Sequence, residues 1–258
     1  MWKKIGIGLL LLLAIIAGGI WYLLSNLDSL VKTAIETYGS AATQTSVTVG
    51  RVKLSLTSGS GTVSGLGIGN PQGFTSPQAL GVGAIAVQLD TSSLTGNGPI
   101  VVKTINIAQP RINYEITGGV SLTGVSTSSN LQIIQKNVQT YAGGQASAPP
   151  GGPPARKEII TNLYVTGGQV TLIAATILHG KKVTVPLPPL HLTNIGRASG
   201  GATPAQIASQ VISAIIGQAA QTGATALTQQ IKATAGGALP GSTMPSNVSG
   251  TLKGILGP

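Results

Sequence analysis

Few side chains in these 258 residues could move protons, attack a substrate or hold a metal. The carboxylates number five, Asp28, Glu36, Asp90, Glu115 and Glu158, and the histidines two, His179 and His191. General acid and base work needs two tuned carboxylates, or a histidine with an orienting partner, converging on one pocket. No two of the five lie close enough in sequence to form such a pair, and the histidines lack an HxxxH or HExxH frame. Both histidines read as structural or exposed residues. Cysteine is absent, which removes disulfides, thiolate metal sites and a cysteine nucleophile, and fits any compartment. Serine is abundant, yet no GxSxG elbow occurs. GSGTVSG at 59–65 and GIG at 67–69 fit neither GxxxxGKS nor a full dinucleotide fingerprint, so they read as turns and strand edges. The expectation is a protein that is not an enzyme, with no catalytic residue, metal or cofactor.

Composition points the same way. Charged residues make up 8% of the chain, against a usual share of about 25%. The surface is therefore built from Ser, Thr, Asn, Gln and Gly, which excludes a coiled coil or a charged disordered tail. The net charge is +10, but aromatics are only 3%, too few to alternate with cations as stacking platforms for nucleic acid. Basicity here points to an anionic membrane.

The elements that position these residues begin with an anchor. Lys3 and Lys4 precede Ile5–Leu24, an uncharged run of 20 residues. As a helix it reaches about 30 Å, the hydrocarbon thickness of a bilayer. The positive-inside rule keeps Lys3 and Lys4 cytoplasmic, and Trp21 with Tyr22 mark the far interface. A cleaved signal peptide is the competing reading, but its apolar core is usually shorter and ends at an AxA-like site. Ala14 and Ala17 have the wrong spacing, and the apolar run continues to Leu24. Residues 1–26 are thus expected to be an uncleaved single-pass anchor. In a bacterium this places the N-terminus in the cytoplasm and the bulk of the chain in the periplasm, bound to the inner membrane. Without Lys3 and Lys4, the charge of +10 leaves +8 on the far side, spread over strands and loops.

Residues 27–38 have near-helical apolar spacing, stopped by Gly39. From Ser46 the period becomes 2. Val52, Leu54 and Leu56 alternate with polar residues, as do Ile85, Val87 and Leu89, then Ile105 and Ile107, then Ile112, Tyr114 and Ile116. Asn70-Pro71, Gly98-Pro99 and Gln109-Pro110 punctuate these runs. The pattern describes an antiparallel meander with one apolar face. A Gly/Pro-rich insertion over 117–157 holds a helix near 130–141. Strands resume in EIITNLYVTGGQVTLIA, with TGGQ read as a hairpin turn, and in KKVTVPLPPLHLTNIG. INIAQPRINYEI and LYVTGGQVTLIA look like two versions of one strand-turn-strand unit.

A last helix starts at Thr203-Pro204, with Thr203 as N-cap and Pro204 at the first position. Ile207, Val211 and Ile215 form its stripe, widened by Ile212 and Ile216. No charge occurs between Arg197 and Lys232, so this amphipathic helix is expected to be shielded by the sheet, a bilayer interface or a partner. Residues 236–258 read as a flexible tail.

The opening helix followed by SVTVGRVKLSLTSGSGTVSGLGIGNPQGF, then AIAVQLDTSSLTGNGPIVVKTINIAQPRINYEI, resembles the AsmA-like proteins of Gram-negative bacteria. VPLPPLHLTNIGRASGGATPAQIASQVISAII is similar to the end of their short, single-domain members. The resemblance covers most of residues 1–235; Asn194 stands where LTDIG would carry Asp. It implies an inner-membrane anchor (1–26), a periplasmic β domain (27–235) with a curved, taco-like sheet, and a role in phospholipid handling. The chain is far too short to cross a periplasm.

Two functions are expected. In the first, the apolar positions from Val52 to Ile116 named above line a groove for acyl chains, and Arg51, Lys53, Lys103 and Arg111 near its rim meet phosphate heads, serving envelope phospholipid homeostasis. Burying acyl CH₂ groups at about 0.8 kcal/mol each needs no special polar chemistry. In the second, the chain is an accessory or scaffold subunit of a membrane or envelope protein complex, its Gly/Pro-rich segments draped over a partner and the 207–216 helix face packed on the sheet or on that partner. Neither involves nucleic acid.

Overall fold

The computed structural model describes residues 25–121, 124–144, 156–174 and 182–236, with side chains described except at 118–127 and 230–236. The expected anchor up to Leu24, most of the expected tail, His179 and the centre of the expected insertion lie outside the described residues. Among those described, no helix is long and apolar enough to cross a membrane.

Alternating apolar residues build ten strands: β1 (Val47–Thr48), β2 (Arg51–Ser55), β3 (Ser60–Gly69), β4 (Gln78–Leu89), β5 (Ile100–Ser121), β6 (Gly124–Ser129), β7 (Glu158–Thr166), β8 (Gln169–Ile173), β9 (Lys182–Pro186) and β10 (Leu190–Ile195). They form one curved, unclosed sheet in the order β1-β3-β4-β5-β7-β10. β2 continues the edge begun by β1, β8 continues β7, and β9 leads into β10. Three helices accompany the sheet: α1 (Leu27–Thr43), α2 (Asn130–Gly144) and α3 (Pro204–Gly236). The end carrying the turn 56–59 and the loops 90–99 and 196–203 is called the lower end.

The expected antiparallel meander holds from β1 to β5 and fails after it. β5 pairs parallel with β7 and with β8. The chain leaves β5 at the upper end, descends through β6 and α2, and starts β7 at the lower end. A crossover through a helix is the usual way to place parallel strands side by side. Residues 117–121 and 124–129, expected within the insertion, pair as antiparallel β5 and β6.

Thr166-Gly167-Gly168-Gln169 is a kink and not a hairpin turn. β7 and β8 run in one direction along β5, with Ile105 opposite Leu163 and Ile112 opposite Val170. Gly167 has φ 64° and Gln109 in β5 has φ 52°, so both strands bend at the same level. The two similar sequence units are therefore neighbours that must bend together. Gln109 takes the left-handed conformation despite its side chain, a strain of about 1–2 kcal/mol.

An exposed sheet edge invites unwanted pairing, and α1 covers the one formed by β1 and β2. The amides of Val47, Val49 and Leu54 donate to Ser40 Oγ (2.9 Å), Glu36 Oε1 (2.8 Å) and Asp28 Oδ1 (2.9 Å). Two of the five carboxylates thus serve as caps for a strand edge. At the other edge, Pro186, Pro188 and Pro189 interrupt the donors between β9 and β10.

α3 begins as the Thr203-Pro204 signal predicts. Thr203 Oγ1 accepts from Gln206 N (3.2 Å), and Thr203 N donates to Gln206 Oε1 (3.0 Å). This is a capping box, which satisfies two donors reciprocally. Its buried stripe of Ile207, Ile215, Ile216, Ala219 and Leu227 lies on the sheet and on α2. The opposite side is exposed at Gln206, Gln210, Gln221 and Thr225. Carboxamides hydrate that side, so the lack of charge does not mean a covered surface.

Candidate functional site

Cross-strand partners share a sheet face, so the pairing register shows which residues form one surface. Leu54, Gly61, Val87, Ile105, Leu163 and Leu192 form one row across six strands. Val52, Val63, Ile85, Ile107, Val165 and Leu190 form the next. Above the kink, Ile68, Leu80, Ile112, Val170 and Val185 make a third, and Tyr114 pairs with Leu172 above that. Apart from Gly61, every position in these rows is apolar or aromatic. Leu54 fills the gap at Gly61, its Cδ2 lying 2.9 Å from where a Cβ would stand.

Ten of the eleven expected groove residues have places on this surface. Ile107, Ile112, Tyr114 and Ile116 are buried in the core, whereas Ile85, Val87, Leu89 and Ile105 are half-buried at its margin. Val52 is buried and Leu54 half-buried. Leu56 does not join them. β2 stops at Ser55, and Leu56 lies in the turn, 55% exposed.

α2 and α3 fill the upper part of the surface. Leu131 and Ile134 of α2, with Ile212, Ile215 and Ile216 of α3, meet Ile68, Leu80 and Ile112 around a cavity of about 20 Å³. That is room for one water, and the lining is wholly apolar. The sequence-predicted helix residues thus pack on their own sheet, Ile207, Ile215 and Ile216 buried and Val211 and Ile212 half-buried against the core. Below the kink the apolar face stays partly accessible at Leu54, Ile85, Val87 and Ile105, and again at Leu190 and Leu192 of β10.

The cations do not rim this face. Arg51 and Lys53 alternate with Val52 and Leu54, and Arg111 precedes Ile112, so all three point to the outer face and are exposed. Lys103 sits at a bulge beside Asp90, 3.6 Å away. The Ser92 hydroxyl, donating at 2.8 Å, is the main cause holding the Asp90 carboxyl below its usual range, and Lys103 adds to it. Around Arg111 the outer face has a recess of about 420 Å³, floored by glycines and walled by Gln78, Gln109, Asn113 and Gln169. His191 lies on the same face, its ring stacked on Tyr164 at 4.2 Å and its Nε2 3.0 Å from Asn162 Oδ1.

The strongest polar constellation is one that sequence spacing does not reveal. Glu115 is buried, 3% exposed, at the upper end of β5. Its carboxylate accepts from Thr75 N (2.7 Å), Thr75 Oγ1 (2.8 Å), Ser76 N (2.9 Å) and Ser76 Oγ (2.6 Å). Asn130 extends the network: its Oδ1 accepts from Glu115 N and Leu131 N, and its Nδ2 donates to Asn70 Oδ1 and Asn113 O. Burial opposes ionisation, but the four donors outweigh it and hold the carboxyl below the usual glutamate range. A carboxylate so satisfied and so acidic is a poor general acid or base. It ties the 70–77 loop to the start of α2.

Two further titratable groups lie against the apolar face, Glu158 half-buried and Tyr114 buried. Glu158 pairs with Ile100 on the apolar face, and burial raises its pKa. The buried Tyr114 hydroxyl makes no well-formed hydrogen bond among the described residues; burial raises its pKa, and the neighbouring Ser129 hydroxyl opposes that shift without cancelling it. No cluster of three metal-ligating side chains occurs among the described residues. Comparison of the chain with protein-family models, with curated proteins and with solved structures finds no match.

Proposed function

We propose that this is a non-catalytic, membrane-anchored periplasmic protein of the AsmA-like kind. It takes acyl chains of a membrane phospholipid onto the lower part of its apolar sheet face. The observation that carries this reading is the row Leu54–Val87–Ile105–Leu163–Leu192. Four of its residues, Leu54, Val87, Ile105 and Leu192, are half-buried and Leu163 is buried between them, and an acyl chain lying along the row meets only apolar side chains. At about 25 cal/mol per Å² of apolar surface covered, such contact suffices without polar recognition.

A second reading is favoured by the filled upper face. Because α2 and α3 leave a cavity of only about 20 Å³ there, the domain also suits an accessory subunit that presents its surface to a membrane protein complex. One experiment separates the two. The full chain is extracted in mild detergent and subjected to native mass spectrometry and lipid analysis. Copurified phospholipid that is lost in Val87→Asp or Leu54→Asp, with circular dichroism unchanged, supports the lipid reading. A stoichiometric protein partner with no bound lipid overturns it.

A further inference from the structure

We propose that the lower end of the domain lies on the bilayer, with Leu30, Leu56 and Leu94 inserted into the headgroup region as an interfacial foot. This rests on the membrane-anchored reading and adds an orientation and a contact surface to it.

The argument starts from where the chain enters the domain. Asp28, near the start of α1, accepts a hydrogen bond from Leu54 N at the end of β2, so the described chain begins at the lower end, directly after the uncharged stretch of sequence 5–24. Large exposed apolar residues are few in the described structure: Leu30 (48%), Tyr38 (46%), Leu56 (55%) and Leu94 (37%). The three leucines belong to this end. Leu30 lies in the first turns of α1, Leu56 in the β2–β3 turn, and Leu94 in the short helical turn after β4. That turn packs on the β2–β3 turn, since a Cβ at Gly59 would stand 2.7 Å from Thr91 Cγ2.

The lower end also matches an anionic surface in charge. Lys53, Lys157 and Arg197 are exposed there, and none has a carboxylate partner among the described residues. The carboxylates at this end are engaged or suppressed. Asp28 caps Leu54, Asp90 faces Lys103, and the Glu158 carboxyl is half-buried on the apolar face. The 90–99 loop is fixed from beneath by Arg156, whose guanidinium donates to the carbonyls of Ser93 (2.9 Å), Leu94 (2.9 Å) and Gly98 (2.5 Å). Leu94 is therefore held out on a stiffened loop. Apolar side chains flanked by cations at an interface bury themselves about 5–10 Å into the headgroup and acyl boundary.

The absence of cysteine makes the test direct. Single-cysteine variants Leu56→Cys, Leu94→Cys, Thr184→Cys and Ala14→Cys of the full chain carry an environment-sensitive fluorophore, in vesicles of phosphatidylethanolamine and phosphatidylglycerol containing brominated lipid. Labels at 56 and 94 are expected to be blue-shifted and quenched about threefold more than the label at 184, consistent with shallow insertion. Quenching at 14 together with equal, weak quenching at 56, 94 and 184 overturns the foot while leaving the anchor intact. No quenching at 14 overturns the membrane reading itself. Quenching at 184 equal to that at 56 overturns the proposed orientation.

Discussion

The seat of α3 on the sheet turns on one glycine, and that makes it measurable. At Gly223 an added Cβ would stand 2.8 Å from Tyr114 Cδ1 and 3.3 Å from Cε1. Ordinary carbon contacts are about 3.5–4.0 Å, so helix or ring must yield by more than half an ångström. The ring has nowhere to go, with Tyr114 1% and Leu172 0% exposed. Overpacking of this kind costs about 1–3 kcal/mol. Gly217, six residues earlier on α3, has nothing within 4 Å of its would-be Cβ. Gly217→Ala therefore collects only the helix-propensity gain of about 1 kcal/mol. Gly223→Ala collects the same gain less the overpacking cost. The difference between the two variants is then the overpacking term alone, about 1–3 kcal/mol, or about 2–12 °C in Tm for a chain of this size. Thermal unfolding of both full-length variants, followed by circular dichroism in the same detergent, reads it. Equal or higher stability of Gly223→Ala would refute the placement of α3 against Tyr114, and with it the closure of the upper groove.

Three more outcomes follow from the buried polar groups. Glu115→Gln places an NH₂ among donors from Thr75 and Ser76 and should destabilise the protein by about 2–3 kcal/mol in denaturant unfolding. Glu115 has a lowered folded pKa, so its contribution is present above the unfolded value of about 4.3 and is lost as pH falls through the folded value. The variant should show a shallower loss of stability in acid. Glu158 is the opposite case. Its folded pKa is raised, so ionisation above that value penalises the fold, and Glu158→Gln should be more stable than wild type at pH 7.5 and converge with it on acidification. Tyr114→Phe removes a buried hydroxyl that makes no well-formed hydrogen bond and should gain about 1 kcal/mol; a loss of stability in urea unfolding would mean that the neighbouring Ser129 satisfies it.

Much of this molecule can be read from its residues alone. Period-2 alternation at Val52, Leu54, Ile85, Val87, Ile105 and Ile107 marks one apolar face, because side chains on a strand alternate whatever lies beside them. Thr203-Pro204 marks the start of α3, and its stripe of isoleucines the side that packs. The poverty of carboxylates and histidines sets an expectation against catalysis before any fold is known. These signals are local, carried within a turn or a strand.

What depends on contacts across the chain is decided only by the fold. Thr166–Gln169 has the residues of a hairpin turn, yet β5 is already bent at Gln109 beside it, and parallel pairing along β5 keeps the strand going. Arg51, Lys53 and Arg111 read as a rim until alternation assigns them to the outer face. Glu115 sits 39 residues from Ser76 and 15 from Asn130, and no spacing links them, since a carboxylate finds its donors through tertiary approach. Whether the apolar face is open or filled depends on where α2 and α3 come to rest. The sequence determines that an apolar face must exist, because its strands bury one side. The tertiary structure decides what covers it, because any apolar surface of the right shape removes it from water equally well.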